Sequence, residues 1–395
     1  MFRLEFVARR NQRGYFAPSP VRMRGMRHIL LLLSCLFFGV SAQAQWRKVQ
    51  TSAMDSNLRG VSVAYAPDKN KGVLQPIVWA SGSNGVILKS VDEGHTWQRL
   101  SVAEGQTLDF RGIVAFNAFT AYAMASGDGD KSRIYKSADG GQTWSLQFTG
   151  DRKEVFLDSI ACLSEHDCIA LGDPIDSKFL LVKTMDGEHW NPLPTDNMPA
   201  ALPGEGAFAA SNSCIALSGK KEIFFGTGGP AARIFHSKDG GLTWTVARTP
   251  LVQGNPSSGI FSVGLDGNNK VLTLGGDYKE PNYSERVAAH SLDGGETWEL
   301  AARQPGGYRS AVAHIHDGRW VAVGPTGEDI TQDNGVHWKH SGSLNLNAIE
   351  IPDTGTGWAV GPKGTIARFV DNTIPDRRSQ RRKPAASPPA PPIAR

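Results

Sequence analysis

The chain is poor in cysteine, with 4 in 395 residues, and none of them forms a Cys-x-x-Cys pair. Thiolate zinc sites and dithiol redox centres of ordinary spacing are thereby excluded. There is no Gly-x-Ser-x-Gly turn, and the glycine-rich turn Gly226-Thr-Gly-Gly229 precedes a strand-like segment, not a helix. A nucleophile elbow and a phosphate-cradling helix start are therefore not expected. Long apolar runs are missing too. The main apolar stretch, Ile29 to Val40, is shorter than the roughly 20 residues needed to span a bilayer.

That stretch has another use. It follows the charged Met26-Arg-His and precedes Ala42-Gln-Ala44, the layout of a cleaved export signal. Residues 1–44 are expected to be leader and signal peptide, cut after Ala44 to give a periplasmic or secreted protein. The segment before Met26 is either a long leader or an over-extended start. Residues 371–395 begin with basic residues and end in alternating Pro, Ala and Ser. With so little to bury they are expected to be a disordered basic tail.

The whole-chain charge of +4 comes from these ends, which carry +6 and +4 and leave −6 on residues 45–370. A mildly acidic body gives no support for nucleic-acid binding. With Cys35 in the leader, three cysteines remain. Cys162 and Cys168 are close enough to bridge a turn between adjacent strands, and Cys214 is expected as a buried thiol.

Against these absences stands one abundant pattern, present six times: Ser90-Val-Asp-Glu-Gly-His-Thr-Trp97, Ser137-Ala-Asp-Gly-Gly-Gln-Thr-Trp144, Thr184-Met-Asp-Gly-Glu-His-Trp190, Ser237-Lys-Asp-Gly-Gly-Leu-Thr-Trp244, Ser291-Leu-Asp-Gly-Gly-Glu-Thr-Trp298 and Thr331-Gln-Asp-Asn-Gly-Val-His-Trp338. The tryptophans recur every 40 to 54 residues, the length of one propeller blade. Each repeat reads as four short strands separated by Gly, Asn and Asp turns. Inner strands are expected to start near Leu58, Phe110, Leu157, Gly204, Ser257, Tyr308 and Leu346, which makes seven units for six boxes. Gln45-Trp46-Arg-Lys-Val49 looks like the outer strand that the last unit lacks. The reading is an all-β, seven-bladed propeller over residues 45–370, its ring closed by the N-terminal strand; six blades with a loose N-terminus is the alternative. The aspartates Asp92, Asp139, Asp186, Asp239, Asp293 and Asp333 are read as structural, because Asp before Gly can bind the backbone of its own turn.

These repeats resemble the Asp-box of the bacterial-neuraminidase repeat, shared by sialidases, sortilin-like receptors and propellers similar to photosystem II stability/assembly factors. The likeness to the last group is carried by Leu58-Arg-Gly-Val61, Gly357-Trp-Ala-Val-Gly-Pro-Lys-Gly364 and the boxes, and it covers residues 45–370. It implies an exported, monomeric assembly factor or scaffold of the same fold, binding a protein or peptide partner without a cofactor.

In such a ring the residues at the start of each inner strand line the channel mouth: Arg59, Arg111, Asp158, Glu205, Ser258, Arg309 and Asn347. Loops between second and third strands add Asp128, Asp130, Asp173, Asp176, Asp277, Tyr278, Glu328 and Asp329. Within this rim, Arg59, Arg111, Asp158, Asp173, Asp176, Glu205, Asp277 and Arg309 are the candidate binding residues. No catalytic or metal-ligating set is expected; His314 and His316 alternate on one strand without a third ligand. A carbohydrate-active enzyme is the alternative. Arg59, Arg111 and Arg309 with Tyr308 and Glu205 loosely echo the three-arginine clamp of sialidases. However, Phe110-Arg-Gly-Ile113 departs from that family's Phe/Tyr-Arg-Ile-Pro motif.

Overall fold

A computed structural model describes residues 45–51 (backbone course only), 56–67, 74–352 and 356–370. The expected signal peptide, the tail and the Trp46 side chain lie outside the described residues. Seven antiparallel sheets follow one another along the chain, at residues 58–100, 109–149, 157–192, 215–248, 255–300, 311–342 and 348–370. The chain is a seven-bladed β-propeller. Gln45–Thr51 pairs antiparallel with Thr365–Val370, from Gln45 opposite Val370 to Thr51 opposite Thr365, and so supplies the fourth strand of the seventh blade.

The core lies between blades, where each sheet buries both faces against its neighbours. Trp79 and Ile87 of blade one meet Phe110, Ile113 and Tyr135 of blade two. At the seam of the ring, Trp358, Val360 and Ile366 of blade seven pack on Leu58, Val78 and Leu88 of blade one. Trp79, Trp320 and Trp358, all on second strands, are fully buried.

The boxes sit in the hairpins between third and outer strands. In blade two, Asp139 accepts hydrogen bonds from the Ser137 hydroxyl (2.9 Å), the Thr143 amide (2.9 Å) and the Thr143 hydroxyl (2.6 Å). Gly140 and Gly141 both hold positive φ, which a side chain would oppose. The following tryptophan closes four of the turns by donating its indole N–H to a glycine carbonyl: Trp97 to Gly94, Trp244 to Gly241, Trp298 to Gly295 and Trp338 to Gly335. The third box is one residue shorter, so Trp190 donates instead to Gln147 of blade two, and His189 takes the place of threonine on Asp186.

Cys162 and Cys168 are disulfide-bonded across directly paired strand positions, while Cys214 is a buried free thiol. So short a loop contributes about 2 kcal/mol. Among the described residues no helix is long and apolar enough to cross a membrane.

Candidate functional site

Four inner strands carry a register shift, close to the start in the first three and farther along in the strand Asn255–Leu265. Pairing skips from Leu58 to Gly60, from Phe110 to Gly112, from Leu157 to Ser159 and from Ile260 to Ser262. The residue left over in each bulge is Arg59, Arg111, Asp158 or Phe261. A bulge turns its extra residue away from the regular alternation, and all four line one cavity of about 450 Å³. Blades four, six and seven complete its wall through Phe208, Tyr308 and Asn347. Every blade therefore contributes to it.

One segment ties several blades together at this cavity. Blade four's inner strand begins at Ile215, not near Gly204, and residues 207–210 before it line the cavity. The Ala209 and Ala210 carbonyls accept from Arg111 (3.1 Å) and Arg59 (3.5 Å). Ser211 donates to the Ser310 carbonyl of blade six, Asn212 accepts from the Ile160 amide of blade three, and Ser213 bonds Ser262 of blade five. Gly112 makes room for the strap, since a Cβ there would come within 2.7 Å of the Asn212 carboxamide. Phe208 stacks on Phe261 with ring centroids 3.8 Å apart, and Tyr308 meets Phe261 edge-on at 4.7 Å.

The charged groups fall into two sets. Arg59 and Arg111 are half-buried in the cavity wall. Arg111 pairs with Asp109 at 2.8 Å, and Arg59 has no ion-pair partner among the described residues. Burial and the neighbouring Arg111 lower the Arg59 pKa. Asp158 is 1% exposed, and its Oδ2 has no hydrogen-bond partner. Burial, then the nearby Asp173, raise its pKa well above the carboxylate range, and Arg111 opposes them. Burial lifts Asp173 to about 6 against the pull of a hydrogen bond from the Ala207 amide.

The other rim candidates lie elsewhere. Arg309 is 0% exposed and bound to Asp329, with further bonds to the Tyr308 carbonyl and Thr326. Its neighbour Tyr308 occupies the wall instead, because the two alternate on one extended segment. Glu205, displaced from an inner strand, is buried and held by Arg233, the Thr227 hydroxyl (2.5 Å) and the Leu202 amide (2.8 Å). Asp176 is exposed beside Arg152. Asp277 accepts from Asn255 and the Lys279 amide outside the cavity. A triple-arginine clamp with Glu205 beside it is thus not assembled. His314 packs on Trp320 while His316 contacts Asp317 and Arg319. Among the described residues no cluster of three or more His, Cys, Asp and Glu could hold a metal ion.

The bulges, the strap and the aromatics Phe156, Phe208 and Phe261 were missing from the sequence-derived rim. The signal that could have found two bulges is Arg-Gly at the same strand position, Arg59-Gly60 and Arg111-Gly112.

No protein-family model matches the chain, and no curated protein sequence matches it. Solved structures do. YCF48 bound to D1 peptide is 15% identical with a TM-score of 0.58, over 83% of this chain and 96% of that one. YCF48 from Cyanidioschyzon merolae is 16% identical with the same TM-score, over 82% and 98%. The extracellular domain of BT4673 from B. thetaiotaomicron is 13% identical with a TM-score of 0.54, over 82% of this chain and 40% of that one. At such identities the likeness is one of fold: this chain is built as a propeller of the YCF48 kind.

Proposed function

We propose that this chain is a non-catalytic binding propeller that holds a peptide segment of a protein partner at its channel mouth, as an assembly factor or scaffold. The observation that carries this reading is the cavity of about 450 Å³ walled by all seven blades, with half-buried Arg59 and Arg111 beside Phe208, Phe261 and Tyr308. Aromatic walls with a few fixed charges suit a peptide: the rings bury side chains, and a guanidinium takes a carboxylate with directional hydrogen bonds. Arg59 has no carboxylate of its own, so an acidic group of the partner completes the pair. The fold shared with a YCF48 solved with a D1 peptide supports the same class of ligand. The carbohydrate-active alternative loses its best candidates, since Glu205 and Arg309 are engaged in buried ion pairs.

The protein works outside the cytoplasm as a monomer, after cleavage at Ala44. The Cys162–Cys168 disulfide is in keeping with an oxidising compartment. Nucleic acid is not a partner of its mildly acidic body.

The test is capture from periplasmic extract with wild type and an Arg59→Ala/Arg111→Ala variant. Loss of a charge-assisted pair should weaken capture of the specific partner about tenfold or more. Identical partner lists for both proteins overturn the reading.

A further inference from the structure

The binding reading uses the arginines and the rings; it leaves the two aspartates opposite them unexplained. Asp158 is the spare residue of blade three's bulge; it lines the cavity, is almost wholly buried, and its Oδ2 has no hydrogen-bond partner. Asp173 adjoins Gly172, the partner of Leu157 across that bulge, and lines the same cavity. It also lines a second cavity of about 440 Å³, whose wall includes Glu154, Pro174, Glu205 and Pro256. Asp173, Ala207 and Phe208 line both cavities, so the two adjoin at Asp173, while Asp158 lines the first. A buried carboxylate oxygen without a donor is costly unless it is protonated or given a cation. The stacked rings of Phe208 and Phe261 line the same cavity, and aromatic faces attract cations.

We propose that Asp158 and Asp173 form the receptor for a basic side chain of the bound peptide, its ammonium or guanidinium seated at the junction of the two cavities. The inference rests on the peptide-binding reading and deepens it. The ligand becomes a segment of mixed charge, acidic at Arg59 and Arg111, basic at the aspartates, with its chain leaving through the second cavity.

Binding is coupled to protons. In the free protein Asp158 faces Asp173, the Arg111 guanidinium and the Cys214 thiol. Asp173 faces the Ala207 amide and, across the second cavity, Glu154 and the Arg233-bound Glu205. Burial makes the pair hold protons more tightly than free carboxyls do. An arriving cation favours the carboxylate form, so the carboxyl O–H bond breaks, its electron pair stays on oxygen and the proton goes to solvent.

Calorimetric titration with n-propylguanidinium tests this without any peptide. At about pH 7.5 the cation should bind wild type and release protons, seen as a dependence of the heat on buffer ionisation, and it should bind about tenfold more weakly near pH 4.5. Its neutral isostere, n-propylurea, should not compete. Asp158→Asn/Asp173→Asn should abolish the proton release and weaken binding about tenfold, with the fold checked by circular dichroism. The titration contains no acidic ligand for Arg59 and Arg111, so failure of the arginine reading leaves this measurement standing. The proposal is overturned if wild type does not bind the cation, if the urea binds equally well, or if the folded Asn variant keeps the proton release. If that variant does not fold, the wild-type proton release and the urea comparison still decide.

Discussion

Arg309 and Asp329 form an ion pair in which both side chains are withdrawn from solvent, with the Arg309 Nε donating to Asp329 Oδ2 at 2.7 Å. The pair ties the segment entering blade six to that blade's third strand. Breaking such a pair leaves one charge buried and uncompensated, which costs far more than the intact pair contributes. Arg309→Ala should therefore destabilise the fold by about 3–5 kcal/mol in urea unfolding, whereas Arg59→Ala, at the cavity wall, should cost less than about 1 kcal/mol. A joint Arg309→Met/Asp329→Leu replacement should recover most of the loss. Equal costs for the two single arginine variants would contradict the separation of a structural arginine from a binding one.

How much of this was legible beforehand depends on the range of the interactions. The six boxes were readable because an Asp, a Gly and a Thr or His within five residues satisfy one another locally, whatever the rest of the chain does. Blade number followed from the seven inner-strand starts, with Gln45–Val49 as the outer strand that the last unit lacks. The cavity was readable only in part. Arg59, Arg111 and Asp158 were placed at the mouth by counting strands, but what aims them is an extra residue in each inner strand, and register is a property of the pair of strands. Glu205 was misassigned because residues 204–214 carry no alternation: Gly, Ala, Ser and Asn there follow the contacts of a strap, not a strand. Arg309 was misread because only the three-dimensional neighbour, Asp329, reveals that its charge is already used.

Buried carboxyls and box aspartates act on stability at opposite ends of the pH scale. Burial raises Asp173 to about 6, and Glu328 and Glu350 to about 7. Between roughly pH 4 and 7 an unfolded chain releases protons that these groups keep in the fold, so stability falls as pH rises through that window. Asp139, Asp239 and Asp293 run the other way. Hydrogen bonds from Thr143, Thr243 and Thr297 hold them down at about 2, so their stabilisation is lost as pH falls from about 4 towards 2. Thermal unfolding should show greatest stability near pH 4 to 5. Glu350→Gln should flatten the decline above it, and an unchanged slope would remove the buried carboxyls as its cause.

Ring closure gives the last prediction. Gln45–Thr51 completes blade seven through six paired positions on Thr365–Val370, and it is joined to its blade by pairing, with no hairpin connecting them. Deleting residues 45–51 would leave Thr365–Val370 with an unpaired edge. At the usual worth of a ladder hydrogen bond, the loss amounts to roughly 3 kcal/mol or more, before any packing is counted. The bare edge also offers a template to a second molecule with the same defect. The truncated protein should elute as concentration-dependent dimers or larger species in size-exclusion chromatography with light scattering, and a synthetic peptide of residues 45–51 added in excess should restore the monomer. A truncated protein that stayed monomeric and as stable as the parent would mean that blades six, seven and one hold the ring shut through their faces, with the strand only covering a finished sheet.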